Sequence, residues 1–430
     1  MSDRDLVQDN LVSLQTHVLA EEARHPGAEG DLSWIISAIS LSGKTIANKV
    51  RRARLDDVLG AHGTENVQGE EQLRMDVIAN EIIMRCLGDR ASIAVLASEE
   101  DEEPRILRKS DEGGKYCVLF DPLDGSSNLD SAVGVGTIFS VTRNDPDQPD
   151  GERTVCRPGT EQVAAGYILY GSSTIMCLTT GNGVDMFVLD QAIGSFLRVR
   201  TGLRMPDAGA IYSVNEANAS SFPKGYQRYL ENAHASGYSS RYIGSMVADV
   251  HRTLIRGGVF LYPPTQKNPT GKLRLLYEAN PMAMLIEQAG GLAFSGDQRT
   301  MDIHPDRLHQ RVPVVLGSKA EVERVRHFNR AGRDGCVYTG VVLADAARLL
   351  ANLCLKVAHV AAYANQFGIG MHRDQRVCHD FFDQVVQCGA GIFLRREGVF
   401  QLGQAPAEKR RFFDQCDTDA PPGDIGVLFD

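Results

Sequence analysis

The sequence predicts an α/β protein with two α/β domains and a C-terminal extension. An N-terminal run of helical periodicities gives way to a series of short apolar strands, and helices and strands alternate again from about Asp207. We therefore expect domains over residues 1–205 and 206–330, followed by a separate segment over residues 331–430. A chain of 430 residues is long enough for each domain to bury its own core.

The first elements are expected to be three helices. Apolar residues recur at helical spacing from Leu11 to Leu19, and Pro26 ends that run. Asp31 can cap a second helix. A third helix is predicted from about Glu70 to Leu87, with Gly88 as its terminator.

Strands follow the helices. "SIAVLA" and "YCVLF" are short apolar runs of the buried kind, and further strands follow at regular spacing, with a tight hairpin at residues 181–183. In the second domain we predict a helix from Ser245 to about Arg256 and the strand "VFLYP". A further helix is expected to open with Asn280 as its cap and Pro281 in its first turn.

Composition limits the class of partner. The formal net charge is −10 and no basic run occurs, which disfavours nucleic-acid and membrane-surface partners. Nine scattered cysteines without a CxxC pair favour a reducing compartment. The N-terminus lacks a signal-peptide pattern, and the apolar stretch from Val341 to Ala362 carries charged residues, so we expect a cytoplasmic protein.

Two predicted strands end on carboxylates. The first strand leads into "SEEDEE", with Glu99 and Glu100, and the second into "FDPLDGSSN", with Asp121 and Asp124. Taken separately, a charge run is typical of a solvated face and Asp-Gly of a surface turn. If the two strands pair in parallel, however, these four carboxylates meet at the carboxyl edge of one sheet, where open α/β sheets build their sites.

Carboxylates that meet in this way repel each other unless a cation neutralises them. Hard divalent ions such as Mg²⁺ prefer oxygen ligands of this type. Gly125, Ser126 and Ser127 follow at once and can offer unhindered backbone N–H groups to a phosphate. The pattern therefore predicts a metal site beside a phosphoryl group.

Further candidates lie elsewhere in the chain. Asp76 falls on a mostly apolar face of the third helix, as either a satisfied core acid or a base that activates a water. "TGKLRLLYEANPM" alternates with period two, so Lys272 and Arg274 share a face, either as solvated cations or as an anion clamp. Glu278 follows as a further metal ligand.

Other site classes are disfavoured. The sequence contains no P-loop, no complete dinucleotide-binding glycine pattern and no GxSxG nucleophile elbow. His372, Cys378 and His379 lie close together, but nothing completes a metal-ligand set around them.

Several stretches together resemble the class I fructose-1,6-bisphosphatases. They are "SEEDEE", "FDPLDGSSNLD", "YSVNE", "RYIGSMVADVHRTL" and "GKLRLLYEANPMA", and the resemblance runs in order from about Leu11 to about Val325. "FDPLDGSSNLD" is also similar to the wider superfamily of Mg²⁺-dependent, Li⁺-sensitive sugar and inositol phosphatases. The resemblance implies a layered α/β/α/β/α sugar phosphatase fold and a homotetramer.

The same resemblance implies a reaction: Mg²⁺- or Mn²⁺-dependent hydrolysis of the C1 phosphate of fructose 1,6-bisphosphate, in gluconeogenesis or the Calvin cycle. By position, the implied water-activating pair is Asp76 and Glu100. The implied metal ligands are Glu99, Glu100, Asp121, Asp124, Glu278 and the carbonyl of Leu123. The implied contacts to the substrate come from Asp124, Gly125, Ser126, Ser127, Asn215, Tyr242, Tyr262, Lys272 and Arg274, and from Arg241 of a neighbouring subunit.

The chain departs from the family pattern in three places. Asn218 stands where the family often has a tyrosine that contacts the distal phosphate. Lys115, Tyr116 and Arg143 resemble AMP contacts of vertebrate members, but the loop "GAEGDLS" brings Glu29 and Asp31 towards the nucleotide phosphate, so we expect weak or altered AMP inhibition. Only Cys156 lies in the loop that carries the redox cysteines of plastid members, so an internal disulfide switch is not expected.

Two alternatives remain open. A related enzyme acting on sedoheptulose 1,7-bisphosphate would share the metal site, and Asn218 lies where the two specificities could differ. A non-catalytic regulator on the same fold is the alternative of another class, although such a protein has no reason to keep mutually repelling carboxylates. The extension over residues 331–430 has no counterpart in the family pattern and receives no function.

Overall fold

The computed structural model describes residues 11–24, 30–65, 71–109, 112–145 and 152–333. Its helices are α1 (Leu14–Glu22), α2 (Asp31–Arg52), α3 (Arg74–Gly88), α4 (Glu152–Val155), α5 (Lys224–Ala235), α6 (Met246–Arg256), α7 (Asn280–Gln288) and α8 (Lys319–Arg333). A π-helical turn, Leu275–Ala279, leads directly into α7. No helix within these ranges has both the length and the apolar character needed to cross a membrane.

Most strands belong to two sheets. The strands are β1 (Ala61–Glu65), β2 (Glu71–Leu73), β3 (Ile93–Ser98), β4 (Arg105–Ile106), β5 (Tyr116–Asp124), β6 (Val135–Arg143), β7 (Gln162–Tyr170), β8 (Thr174–Thr179), β9 (Asp185–Asp190), β10 (Ser195–Arg200), β11 (Ile211–Ser213), β12 (Ser239–Ser240), β13 (Val259–Tyr262), β14 (Leu273–Arg274), β15 (Leu292–Ser295), β16 (Gln298–Arg299), β17 (Arg311–Val312) and β18 (Val314–Gly317). The larger sheet has eight strands in the order β10-β9-β8-β7-β6-β5-β3-β4. The second has six, in the order β12-β11-β13-β18-β15-β16, while β1 pairs with β2 and β14 with β17.

β3 and β5 pair in parallel, which is the condition under which the acidic strand ends were expected to meet. Ala97 faces Leu119 and Ser98 faces Phe120 across the pair, and both strands are buried along their whole length. The other described pairs of the larger sheet are antiparallel. This single parallel pair brings the acidic ends of the two strands to one edge of the sheet.

The layers alternate between helices and sheets. Apolar side chains of α1, α2 and α3, such as Leu87, form one core with Phe120 and other residues of the larger sheet. The opposite face of that sheet, including Tyr167, packs with Val247 of α6 and Phe260 of β13 in a second core. On the far side, α5 packs against α8, which contacts β15 and β18. The order of layers is that of the α/β/α/β/α fold implied by the resemblance.

The basic segment folds differently from its prediction. The expected strand "TGKLRLLYEANPM" is extended only in β14, because the following residues wind into the π-helical turn. Leu275 and Leu276 are both buried, so the apolar surroundings cover two successive positions, which a half-exposed strand does not allow. Asn280 has helical backbone angles and does not cap α7, which corrects the predicted helix start.

The N-terminal boundaries also differ from expectation. α1 begins only at Leu14, because Ser13 caps it by accepting the N–H of Thr16, and Leu11 is 82% exposed in front of it. α2 starts at Asp31 with Gly30, not Asp31, in the cap position. α3 starts at Arg74 because residues 71–73 form β2.

Several predicted features lie outside the described residues. They are Pro26, Glu29, the stretch from Val341 to Ala362, the group His372, Cys378 and His379, and almost all of the predicted extension over residues 331–430. The hairpin at residues 181–183 is confirmed, since β8 and β9 pair antiparallel around Gly181 and Gly183.

Candidate functional site

Three carboxylates meet at the carboxyl edge of the larger sheet. Asp121 and Asp124 come from the end of β5, and Glu278 comes from the π-helical turn. One oxygen of each lies within 4.8 Å of the others, and all three side chains are buried. The register of β5 against β6 shifts between Asp121 and Asp124, and Leu123 donates its N–H to Asp121 at 2.9 Å. This irregularity lets two aspartates three residues apart serve one centre.

Burial makes the charged form of these carboxylates costly. It raises the pKa of Asp121 well above the usual range, and repulsion from Glu99, Asp124 and Glu278 adds to the shift. Burial also raises the pKa of Asp124 to about 6, although N–H and O–H donors around its carboxylate oppose the shift. It raises the pKa of Glu278 to about 8, although the guanidinium of Arg274 beside it opposes the shift. A buried, oxygen-only set of this kind fits a hard divalent cation.

Arg274 supplies positive charge inside the acidic group. Its guanidinium lies 2.7 Å from Glu99 and 4.0 Å from Glu278, and its backbone N–H donates to Glu278 at 2.6 Å. Arg274 is only 6% exposed, so this ion pair is held away from solvent. Arg274 is buried in the centre whereas Lys272 is exposed, so the two cations do not share one environment, and the anion clamp stays a prediction.

Asp76 lies beside the centre on α3. It accepts hydrogen bonds from the backbone N–H of Leu73 at 3.1 Å and from the hydroxyl of Ser126 at 3.2 Å. Burial raises the pKa of Asp76 to about 6, and repulsion from Glu99 contributes to the shift. Both bonds satisfy the carboxylate, and the second one joins Asp76 to the predicted phosphate-binding turn, so its role as a base stays a prediction.

The two glutamates after β3 differ. Glu99 is buried and interacts with Arg274 and Asp121, but neither Glu99 nor Glu100 belongs to the compact group of three carboxylates among the described residues. Glu100 is half-buried, and its N–H donates to the hydroxyl of Ser98 at 3.2 Å. Asp76 is thus linked electrostatically to Glu99, and the predicted pairing of Asp76 with Glu100 stays a prediction.

The glycine after Asp124 is required by geometry. Gly125 has φ +74°, and a Cβ there would lie 2.6 Å from the Cβ of Ser245. A 3₁₀ turn, Ser126–Ser131, follows and leaves Ser127 exposed.

The N-terminus of α6 holds Asp124. The hydroxyl of Ser245 and the backbone N–H of Val247 both donate to one carboxylate oxygen of Asp124 at 2.8 Å. Sequence reasoning identified Ser245 only as a helix start and missed this contact. The cap signal was visible in the sequence, but nothing there pointed to its partner.

Most of the predicted sugar-binding residues are exposed, and Tyr242 lies near enough to Asp124 to interact with its charge. Arg241 and Tyr242 are exposed on the loop before α6, and burial of its ring raises the pKa of the Tyr242 phenol, which hydrogen-bonds Tyr262. Asn215 and Lys272 are exposed and lie outside the buried acidic group; Asn215 caps a short 3₁₀ turn through the N–H of Ala217.

The predicted nucleotide contacts lie at the opposite end of β5. Tyr116 and Arg143 face each other across β5 and β6, with the guanidinium 5.6 Å from the ring centroid. Lys115 forms an ion pair with Asp31 at 2.9 Å. Tyr116 and Asp124 are the two ends of one strand, so at about 3.3 Å per residue this region lies roughly 25 Å from the acids.

Two family models match consecutive parts of the chain. The model described as "Fructose-1-6-bisphosphatase, N-terminal domain" matches residues 12–201, and "Fructose-1-6-bisphosphatase, C-terminal domain" matches residues 205–330. Together the two models cover every residue of the site described above.

Relatives and solved structures agree with these matches. A "Fructose-1,6-bisphosphatase class 1" from Persephonella marina is 49% identical over 318 residues, covering 74% of this chain and 98% of the relative. A second "Fructose-1,6-bisphosphatase class 1", from Chlorobium luteolum, is 46% identical over 332 residues, covering 75% of this chain and 99% of the relative. The crystal structure of Leishmania major fructose-1,6-bisphosphatase in holo form has a TM-score of 0.71 at 40% identity, covering 75% of this chain and 100% of that one. The chain therefore belongs to the fructose-1,6-bisphosphatase family, class 1, which its sequence resembled.

Proposed function

We propose that the chain hydrolyses the C1 phosphate of fructose 1,6-bisphosphate to fructose 6-phosphate and inorganic phosphate. The buried group of Asp121, Asp124 and Glu278 beside the Gly125 turn carries this proposal. It gains weight from relatives that are 46–49% identical over nearly their whole length.

Asp121, Asp124 and Glu278 would hold Mg²⁺ or Mn²⁺, with Glu99, Glu100 and the carbonyl of Leu123 as further ligands from the resemblance. Such an ion supplies charge screening for the phosphoryl group, a more acidic water and stabilisation of the leaving oxygen. Arg274 already places one positive charge in this centre, between Glu99 and Glu278.

Asp76 is the proposed base for the attacking water. With a pKa of about 6, its carboxylate is ionised at neutral pH and close to the range in which a general base is effective. Its bond from Ser126 fixes the carboxylate beside the turn that would hold the phosphate. Glu100 is proposed as its partner in handling the proton.

The substrate is proposed to bind across the turn and the exposed residues around it. Gly125, Ser126 and Ser127 offer backbone N–H groups to the reacting phosphate, with Arg274 beside them. The sugar and its distal phosphate would meet the polar and cationic groups at the surface: Asn215, Arg241, Tyr242, Tyr262 and Lys272.

We also propose a homotetramer, as the resemblance implies. Large apolar side chains of α1 and α2 are half or more exposed, namely Leu19, Trp34 and Leu41, and a second copy of the chain would cover them. A cytoplasmic location and a place in gluconeogenesis or the Calvin cycle are further expectations of the same kind.

Phosphate release by the purified chain tests the proposal. The assay compares fructose 1,6-bisphosphate, sedoheptulose 1,7-bisphosphate and inositol monophosphate, each with Mg²⁺ and with a chelator. We expect Mg²⁺-dependent release from the fructose ester, abolished by the chelator. A preference for the sedoheptulose ester favours the related specificity, and no release from any ester favours a non-catalytic regulator.

Asp121→Ala tests the acidic centre in the same assay. Loss of one ligand should cost several powers of ten in rate, on the order of 4–5 kcal/mol in the activation barrier. Asp207→Ala, at an exposed acid away from the centre, should leave the rate unchanged. Near-normal turnover by Asp121→Ala with Mg²⁺ contradicts the assignment.

A further inference from the structure

The loop before α6 connects the two sides of the proposed site. Its first residues are Arg241 and Tyr242, on the sugar side. Its last residue, Ser245, donates to Asp124 on the acidic side at 2.8 Å. The carbonyl of Gly244 accepts a hydrogen bond from the side chain of Asn128 at 3.2 Å, so the end of the loop is fastened to the turn that follows Asp124.

A fully buried carboxylate fastens the middle of the same loop. Asp249, on the first turn of α6, is 0% exposed. It accepts the backbone N–H of Ile243 at 3.0 and 3.1 Å and that of Gly244 at 3.0 Å. Gly244 has φ +87°, so the backbone can turn both N–H groups towards one carboxylate.

Arg252 completes the arrangement one turn further along α6. One of its nitrogens donates to Asp249 at 2.6 Å and also to the backbone carbonyl of Arg241 at 2.5 Å. The carbonyl before Tyr242 is thus held by Arg252, and the N–H after it by Asp249. The backbone of Tyr242 is held on both sides by the ion pair of Asp249 with Arg252, while the side chain of Tyr242 is exposed and its phenol hydrogen-bonds Tyr262.

We propose that Asp249, together with Arg252, is a positioning residue for the sugar-binding side of the site. This inference rests on the proposed function. In it, Asp249 fixes the distance between the Tyr242 phenol and Asp124, although Asp249 itself contacts neither the sugar nor the metal centre. Because Ser245 and Asn128 tie the loop to the acidic turn independently, loss of Asp249 should loosen the sugar side more than the phosphate side.

The test is a split between kinetic constants in Asp249→Asn. We expect the KM for fructose 1,6-bisphosphate and the inhibition constant of the product fructose 6-phosphate to rise about tenfold, since an amide next to Arg252 loses the ionic bond and presents a donor to the loop N–H groups. We expect kcat, the Mg²⁺ concentration for half activation and the inhibition constant of inorganic phosphate to stay within about threefold. Arg252→Gln should show the same split with a smaller rise.

Glu321→Gln is the matched control. Glu321 is also a buried acid with an arginine three residues later, Arg324, and its carboxylate accepts from Tyr238 at 3.1 Å; both of these partners lie outside the 241–245 loop. It should therefore leave KM and both product constants unchanged even where it lowers the melting temperature.

The outcomes separate this inference from the proposed function. A wild-type chain that releases no phosphate from the bisphosphate overturns the proposed function. If the wild type is active and the variants keep its KM and product inhibition constants, only the role of Asp249 is overturned. The role also fails if all constants shift together, as in a general loss of structure. Should Asp249→Asn not fold, Arg252→Gln decides between these results by the same split.

Discussion

At the scale of single residues, burial sets the chemistry of the site. Asp121, Asp124 and Glu278 are all buried and all have raised pKa values, so a bound cation would favour their charged forms. Asp76 lies beside this group, and two donors stabilise its carboxylate. Its pKa of about 6 leaves it ionised at neutral pH, which suits a general base.

Asp76 should set the acid limb of the pH–rate profile. The active form is the carboxylate, so below pH about 6 protonation should lower kcat/KM by up to tenfold per pH unit, with a plateau above. Asp76→Asn should remove this limb and lower the plateau by about 10²–10⁴-fold. Glu81→Gln, an exposed acid on the same helix, is the control. An acid limb that persists unchanged in Asp76→Asn speaks against the role.

At the scale of secondary-structure elements, the site depends on how β5 ends and how α6 begins. The bulge in β5 turns two aspartates to one centre, and Gly125 then brings the chain against Ser245. The N-terminal end of α6 points its free N–H groups at Asp124, which favours the charged carboxylate. The glycine between the two elements is the tightest point of this junction.

Gly125→Ala should therefore lower activity more than the backbone strain from the positive φ of residue 125 would by itself. The added Cβ would meet the Cβ of Ser245 at 2.6 Å and push α6 away from Asp124, so we expect at least a tenfold loss of kcat. Gly181→Ala is a matched control, because Gly181 has φ +90° but no atom within 4 Å of its added Cβ. It should lose about 1 kcal/mol of unfolding free energy at full activity. Equal kcat values for the two variants contradict the argument.

Particular elements show how far the sequence predicts this site. The acidic strand ends could be predicted, because an apolar run followed by carboxylates marks where a buried strand stops. The sequence left the parallel pairing of these strands as a condition, because neither run shows which strand it pairs with. The bond from Ser245 to Asp124 could not, because these residues are 121 positions apart and a serine before a helix already has a local explanation. The π-helical turn was missed because its first residues alternate like a strand.

The ion pair of Arg274 with Glu99 was missed for a related reason. Sequence patterns assign a residue to a face, but they do not choose its partner among several nearby acids. The strand reading placed Arg274 with Lys272, whereas the turn after β14 buries Arg274 between Glu99 and Glu278 and leaves Lys272 exposed.

At the scale of the whole molecule, the acidic centre links stability to pH and to metal. The pKa values of Asp121, Asp124 and Glu278 are raised on folding, so the unfolded chain gives up these protons at lower pH than the folded one. The free energy of unfolding of the metal-free protein should therefore fall as the pH rises from about 4 towards 8.

Melting curves test this linkage. Millimolar Mg²⁺ should raise the melting temperature by several degrees, and by more at pH 8 than at pH 5, because protons compete for the same oxygens at low pH. In Asp121→Asn the pH dependence of this shift should shrink. KCl at matched ionic strength is the control, and an equal shift in wild type and variant at both pH values is the contradicting result.

The end of the molecule with Lys115 should respond weakly to AMP. The carboxylate of Asp31 forms an ion pair with the ammonium of Lys115 at 2.9 Å. It therefore adds negative charge where the resemblance would place a nucleotide phosphate. Micromolar AMP should leave the rate nearly unchanged, and Asp31→Ala should lower the AMP concentration needed for inhibition. Asp56→Ala, also at an exposed ion pair, is the control. Strong inhibition of the wild type at micromolar AMP contradicts this expectation.

The central claim is that the oxygens of Asp121, Asp124 and Glu278 form a divalent-metal site. Anomalous diffraction from crystals soaked in Mn²⁺ tests it most directly. We predict an anomalous peak at about 2.0–2.3 Å from these three carboxylates, absent after soaking in chelator. A fully ordered centre with no peak, or Mn²⁺ bound only at other acids, contradicts the claim.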